Sequence, residues 1–223
     1  MGVALVLLAA GASRRLGTCK ALAPLREEPP GTPLELLLDA GGAVSDAPPL
    51  VVAGAHHDEI AAAVAERGLE AEVVYNEAWE SGRTGSVLAA RERRPGFDLC
   101  LAPVDVPLVP RAVFDALAAA WATAGAPPRG WLAPLATPGP RDRAKNFGAN
   151  RRNATPAARP GHPVLVGREL LSGWTPASLD EPLRRLRETA STLWTVPVES
   201  AAVLDDLDTP GDWAALRERF GLG

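Results

Sequence analysis

Residues 5–25, LVLLAAGASRRLGTCKALAPL, run from an apolar stretch into five small residues, Ala9 to Ser13, and then meet Arg15, Gly17 and Lys20. Small side chains let backbone N–H groups approach an anion closely. Arg15 and Lys20 add cations, so the loop offers a triphosphate both donors and charge. Two familiar phosphate motifs fail on spacing: Gly11, Gly17 and Lys20 stand as GxxxxxGxxK rather than GxxxxGK[ST], and Gly11-Ala12-Ser13 breaks GxGxxG. The chain holds 21 arginines but only two lysines, Lys20 and Lys145. Lysine is a compact point charge and arginine a planar fork, so a lysine retained in this loop is informative.

Acids supply the second half of such chemistry. Asp105 follows the apolar run Phe97–Ala102, and a carboxylate facing a triphosphate is where Mg²⁺ binds, on one or two carboxylates plus substrate phosphates. A second carboxylate is expected from LDDLDTP, which holds Asp205, Asp206 and Asp208, although Asp208 also suits a cap for the helix beginning near Pro210. The segment Thr137–Gly161 carries Arg141, Arg143, Lys145, Arg151, Arg152 and Arg159 against one acid, Asp142. It reads either as a solvated loop or as a basic lid over an anionic substrate. His56-His57 has no metal-ligand spacing and reads as surface.

These residues need a frame. Short apolar runs at Val3–Leu8, Pro49–Ala53, Ala71–Tyr75 and Phe97–Ala102 read as strands. Amphipathic stretches at Asp58–Arg67, Thr84–Arg94 and Arg111–Ala124 read as helices between and after them, with Pro110 suited to a first helical turn. Trp131–Leu135, Pro163–Val166 and Leu193–Val198 are later strands and Asp212–Arg219 a closing helix. The alternation predicts an α/β chain: one doubly wound, mostly parallel, Rossmann-like sheet with helices on both faces, a single domain over 1–223. In such sheets ligands bind at the carboxyl ends of strands, which is where Ala9–Lys20, Asn76 and Asp105 fall.

Composition narrows the classes further. At −4 the formal net charge gives no general attraction for nucleic acid or a membrane surface, and any anion must meet a local cationic cluster. The opening apolar run is too short for a signal peptide or a membrane span. Cys19 and Cys100 form no framework, Cys100 reads as core, and the chain is expected to be cytoplasmic.

The segment LAAGASRRLGTCKAL closely resembles the LAAGxSxRMGxxKxL signature of nucleotidyltransferases of the molybdenum cofactor cytidylyltransferase type, with Leu16 in place of the usual Met. NEAWESGRTGSV, PVDVPLV, GHPVLV and LDDLDTPGDW resemble four further segments of that family, in the same order, though GRTGS departs from its commoner Gly-Met-x-x-Ser form. The resemblance implies transfer of a nucleotidyl group from a nucleoside triphosphate to an acceptor phosphate, releasing pyrophosphate. Arg15, Lys20 and Asp105 would be catalytic. Leu8, Ala9, Ala10, Gly11, Ala12 and Ser13, with Asn76, Gly82 and Ser86, would join them around the nucleotide. Asp105 would share Mg²⁺ with Asp206 or Asp208, the first and third residues of DxDTP. His162 would face the acceptor together with Arg159. The Ala10 of LAAG favours CTP, and the acceptor implied is molybdenum cofactor, with a molybdoenzyme or its chaperone as partner. Relatives that use sugar phosphates or phosphocholine share a similar opening loop, and a non-catalytic protein that hands on a nucleotide or cofactor is the rival of another class.

Overall fold

The apolar run that opens the chain forms β1 (Val3–Ala9), and its alternation decides the architecture. Leu5, Leu7 and Ala9 join one apolar cluster, Ala4 and Val6 another. Successive strand residues point to opposite faces, so a strand apolar on both needs cover on both. The computed structural model, which describes residues 2–27, 30–137, 159–175 and 178–222, supplies that cover.

A two-strand ribbon, β2 (Arg26–Glu27) with β3 (Pro30–Gly31), precedes α1 (Pro33–Gly41). Strands and helices then alternate: β4 (Leu50–Ala53), α2 (His57–Glu66), β5 (Glu72–Tyr75), α3 (Arg83–Arg93), β6 (Asp98–Pro103), α4 (Arg111–Thr123) and β7 (Gly130–Ala136). Beyond them lie β8 (Arg159–Pro160), β9 (Val164–Val166), α5 (Leu183–Glu188), β10 (Thr192–Val198) and α6 (Pro210–Phe220). The main sheet runs β10-β7-β9-β6-β1-β4-β5, with β8 also on β7. β1 pairs in parallel with β4 and β6, β4 with β5, and β10 with β7. This is the expected doubly wound α/β sheet, mostly parallel.

Helices α1, α2 and α4 cover one face through Leu34, Leu37, Ile60, Phe114, Leu117 and Trp121, while α3 and α5 cover the other through Val87, Ala90 and Leu186. Each large apolar side chain removed from water contributes about 1.5–3 kcal/mol. Asp98 is buried beneath them. Its carboxylate accepts from Trp121 Nε1 at 2.9 Å, from Arg168 N at 2.9 Å and from Arg168 Nη1 at 3.2 Å.

Several features depart from the sequence reading: the β2–β3 ribbon and α5 were not foreseen, and Arg159–Pro160, read as the end of the Thr137–Gly161 loop, pairs with β7 as a strand. Helix α1 was not foreseen, although Thr32-Pro33-Leu34-Glu35 carries a capping box with proline in the first turn. Pro110 stands just outside α4 as its N-cap rather than inside the first turn. The strand at Val164–Val166 runs antiparallel between β6 and β7, so its start, not its end, lies at the carboxyl edge of the parallel strands. Strand order reverses about β1: the chain moves out to β4 and β5, then crosses back to β6 on the other side. A crevice therefore opens where β1 and β6 end. The basic residues Arg141 to Arg152 lie outside the described residues.

Candidate active site

β1 ends in a tight, braced loop. Ser13 adopts φ +50° and Gly17 φ +80°, so the chain turns through the left-handed region twice. Leu16 N and Gly17 N both donate to the Ser13 carbonyl at 3.0 Å, and Lys20 N donates to Ser13 Oγ at 3.1 Å. Behind the loop, Ala55 N donates to the Ala10 carbonyl at 3.1 Å and His56 Nε2 lies 3.2 Å from the Ala12 carbonyl oxygen. Gly54 permits that approach, because a Cβ there would stand 2.5 Å from the Ala10 oxygen and 2.5 Å from Trp79 Cβ. His56 is thus part of the loop's support and not merely surface. The N–H groups of Gly11, Ala12 and Ser13 are spent on no other described residue.

A cavity of about 300 Å³ opens over this loop. Leu8, Ala9, Ala10, Gly11, Ser13, Arg15 and Lys20 line it, and Gly82, Ser86, Asp105 and Asp208 close it from other elements. Ala12, Asn76 and Asp206 are not in its wall. Asn76 is buried behind it, where Nδ2 donates to Ser86 Oγ at 3.1 Å and Oδ1 accepts from Ala78 N at 3.0 Å. It therefore orients a wall residue and the turn into α3. Arg14, Trp79 and Arg83 also line the cavity and were not singled out from sequence.

The acids arrive from two elements. Asp105 lies in the turn just past β6, and its backbone carbonyl accepts from Leu207 N at 2.6 Å, which pins Asp206 and Asp208 beside it. Leu207 itself is fully buried against Leu25 and Leu216. The cap of α6 is Thr209, in a box with Asp212, so Asp208 is released from the capping role that its position suggested. Asp208 instead accepts from Lys20 Nζ at 2.7 Å and Arg15 Nη2 at 2.8 Å. The Lys20 hydrogen bond holds its carboxyl below the ordinary value of 3.8. Asp206 is pushed the other way, first by desolvation of its carboxyl group and then by the like charges of Asp105 and Asp208. Asp105 Oδ2 accepts from Arg83 Nη2 at 2.5 Å, while Asp105 Oδ1 is buried with no hydrogen-bond partner among the described residues.

The three acids Asp105, Asp206 and Asp208 do not close to a ready-made metal cage. Among the described residues only Cys19, His56 and Glu59 bring three ligand atoms within 4.8 Å. There the two ring nitrogens of His56 already face Glu59 and the Ala12 carbonyl, and burial raises the Cys19 thiol.

His162 faces a second cavity of about 260 Å³, shared with Trp131, Leu183, Arg184 and Arg187. Burial, then the nearby Arg83 charge, lowers its pKa to about 4. Arg159 sits exposed on β8 opposite Ala136 and does not line that cavity.

The profile of the MobA-like NTP transferase domain matches residues 5–193. The chain belongs to that family. It is a MobA-like nucleotidyltransferase, and solved structures match it over nearly its whole length. Rv0371c from Mycobacterium tuberculosis H37Rv is 22% identical, covers 98% of this chain and 99% of its own, and superposes with a TM-score of 0.68. A nucleotidyl transferase from Methanothermobacter thermautotroptrophicus, Mth528, gives 20% identity, 98% and 97% coverage and a TM-score of 0.70. The 2-C-methyl-D-erythritol 4-phosphate cytidylyltransferase from Thermus thermophilus gives 18%, 98%, 98% and 0.65. At these identities the likeness establishes the shared fold. No curated protein matches the chain significantly by sequence. No helix among the described residues is long and apolar enough to cross a membrane.

Proposed function

We propose that this transferase moves a cytidylyl group from CTP to the phosphate of molybdenum cofactor and releases pyrophosphate. One observation carries the reading: a loop of small residues with unspent N–H groups, two cations and an enclosed carboxylate meet in one cavity at the switch point of the sheet. Ala10 of the LAAG segment favours cytosine, and the apolar and aromatic lining of the second cavity suits a flat phosphorylated acceptor.

The backbone of Ala9–Ser13 holds the triphosphate, and the N-terminal end of α3, with Gly82 and Ser86 in the cavity wall, adds partial positive charge. The acceptor phosphate is already ionised near neutral pH, so its oxygen attacks the α-phosphorus without a general base. The bond from that phosphorus to the bridging oxygen breaks, and pyrophosphate leaves with the electron pair. Arg15 and Lys20 neutralise the charge it gathers. A buried carboxylate oxygen without a hydrogen bond is an open ligand atom, so Asp105 fits a divalent cation, with Asp206 or Asp208 as its second acid. Such an ion, Mg²⁺ in this reading, supplies charge neutralisation and polarisation at the α-phosphate when bound.

A thermal-shift panel with CTP, GTP, UTP and ATP, each with and without Mg²⁺, tests base and metal together. A nucleotide at about 100 times its Kd stabilises by about 2.7 kcal/mol, and CTP with Mg²⁺ is expected to give the largest shift. Asp105→Asn should keep the fold and lose Mg²⁺-dependent pyrophosphate release from CTP and molybdenum cofactor. Unchanged release in that variant would remove Asp105 from the metal site.

A further inference from the structure

Arg83 joins the two cavities. It is the first residue of α3, it lines both spaces, and its guanidinium donates to Asp105 Oδ2 at 2.5 Å. The pair is lopsided, with the Asp105 side chain 15% exposed and that of Arg83 55% exposed. The carboxylate is largely buried, whereas more than half of the Arg83 side chain stands in solvent. One Asp105 oxygen is therefore neutralised by the chain's own cation, and the other is the open atom already described.

The second cavity has the opposite imbalance. Arg83, Arg184 and Arg187 line it with His162 and Trp131, and among the described residues no Asp or Glu does. It lacks an anion. A divalent cation arriving at Asp105 would compete with the guanidinium for one carboxylate, since two cations close together repel. A guanidinium so displaced has a planar fork that matches phosphate oxygens two at a time.

We propose that Arg83 is a positioning residue for the acceptor: a counter-ion of Asp105 that a divalent cation displaces, and whose guanidinium then holds the acceptor's anionic group in the second cavity. Cation and acceptor binding are thereby coupled, and such coupling is reciprocal. The inference rests on the reading of Asp105 as a cation ligand.

The test uses Mn²⁺ alone, titrated without nucleotide and followed by electron paramagnetic resonance of the free ion. Arg83→Met should bind Mn²⁺ about two- to fivefold more tightly than wild type, the range that loss of a largely exposed competing ion pair gives. Arg83→Lys, which keeps the charge, should stay near wild type. Phenyl phosphate then probes the second cavity: Mn²⁺ should tighten its binding in wild type and leave it unchanged in Arg83→Met. Circular dichroism confirms that each variant is folded, and Arg83→Gln carries the same expectation as Arg83→Met if the latter is not. Unchanged or weaker Mn²⁺ binding in a folded Arg83→Met overturns the proposal while Asp105 stays a ligand. So does a Mn²⁺ effect on phenyl phosphate that survives the substitution. Mn²⁺ binding retained by Asp105→Asn overturns the underlying reading, and the proposal with it.

Discussion

Asp208 occupies the two cations that the triphosphate is proposed to need, so Asp208→Asn should strengthen nucleotide binding when metal is absent. The Arg15 arm of the ion pair is 69% exposed and contributes little. The Lys20 arm joins side chains 12% and 32% exposed, where a charge-assisted bond contributes about 1–2 kcal/mol. Removing the carboxylate spares incoming phosphates that competition, which corresponds to about 5- to 30-fold in affinity. The same substitution leaves Lys20 without its anion, so the free protein should lose about 1 kcal/mol and melt about 2–4 °C lower. The sign with pH follows from the depressed carboxyl. Its stabilisation is fully present above the ordinary carboxylate value of 3.8 and is lost as pH falls through the lower folded value. Isothermal titration of CTP in EDTA near neutral pH, beside scanning calorimetry, reads both effects. In Mg²⁺ the order should reverse if Asp208 is the second metal acid. CTP affinity in EDTA that is unchanged or weaker in Asp208→Asn, despite the lower melting temperature, would refute the competition argument.

Two further outcomes are expected. Gly54→Ala should push the Ala9–Lys20 loop off its support, because the new Cβ would stand 2.5 Å from the Ala10 oxygen; a loss of about 1–3 kcal/mol in stability and weaker CTP binding would be seen by calorimetry and titration, and native values in both would show that the contact relaxes freely. His162 has its pKa lowered from 6.5 to about 4, chiefly by burial, so the unfolded chain takes up a proton first as pH falls. Stability should therefore decline between about pH 6.5 and pH 4, and His162→Gln should reduce that slope in urea titrations at stepped pH.

The frame was legible because β1, β4 and β6 are apolar on both faces, a pattern that burial in a covered parallel sheet demands. That the loop after β1 would line a cavity was legible for a related reason: small residues and cations directly after such a strand leave room at the carboxyl edge of the sheet. What escaped was pairing between distant segments. Nothing local marks Val164–Val166 as antiparallel, since its register is set by β6 and β7. Arg83 stood within a segment noted for its departure from the family's form, yet its partner is 22 residues away and only the fold brings them together. The role of Asp208 was hidden likewise, for a cap and an ion-pair partner look alike until Thr209 is seen to cap α6. Helix α1 was simply under-read, as its capping box stood in plain view.

The pairing of Ala136 with Arg159 has a consequence for how this scaffold can vary. The chain leaves the sheet at Thr137 and is back beside the same point at Arg159, so the two ends that flank residues 138–158 are held together by strand pairing. Closing such an excursion costs only about 0.6 kcal/mol for each doubling of its length. Sequence changes between those two ends need not disturb the pairing of β7 with β8 and β9. Pro160, Gly161 and His162 follow directly on that return, so the wall they give the second cavity is set by pairing with β7, whatever length of chain precedes it.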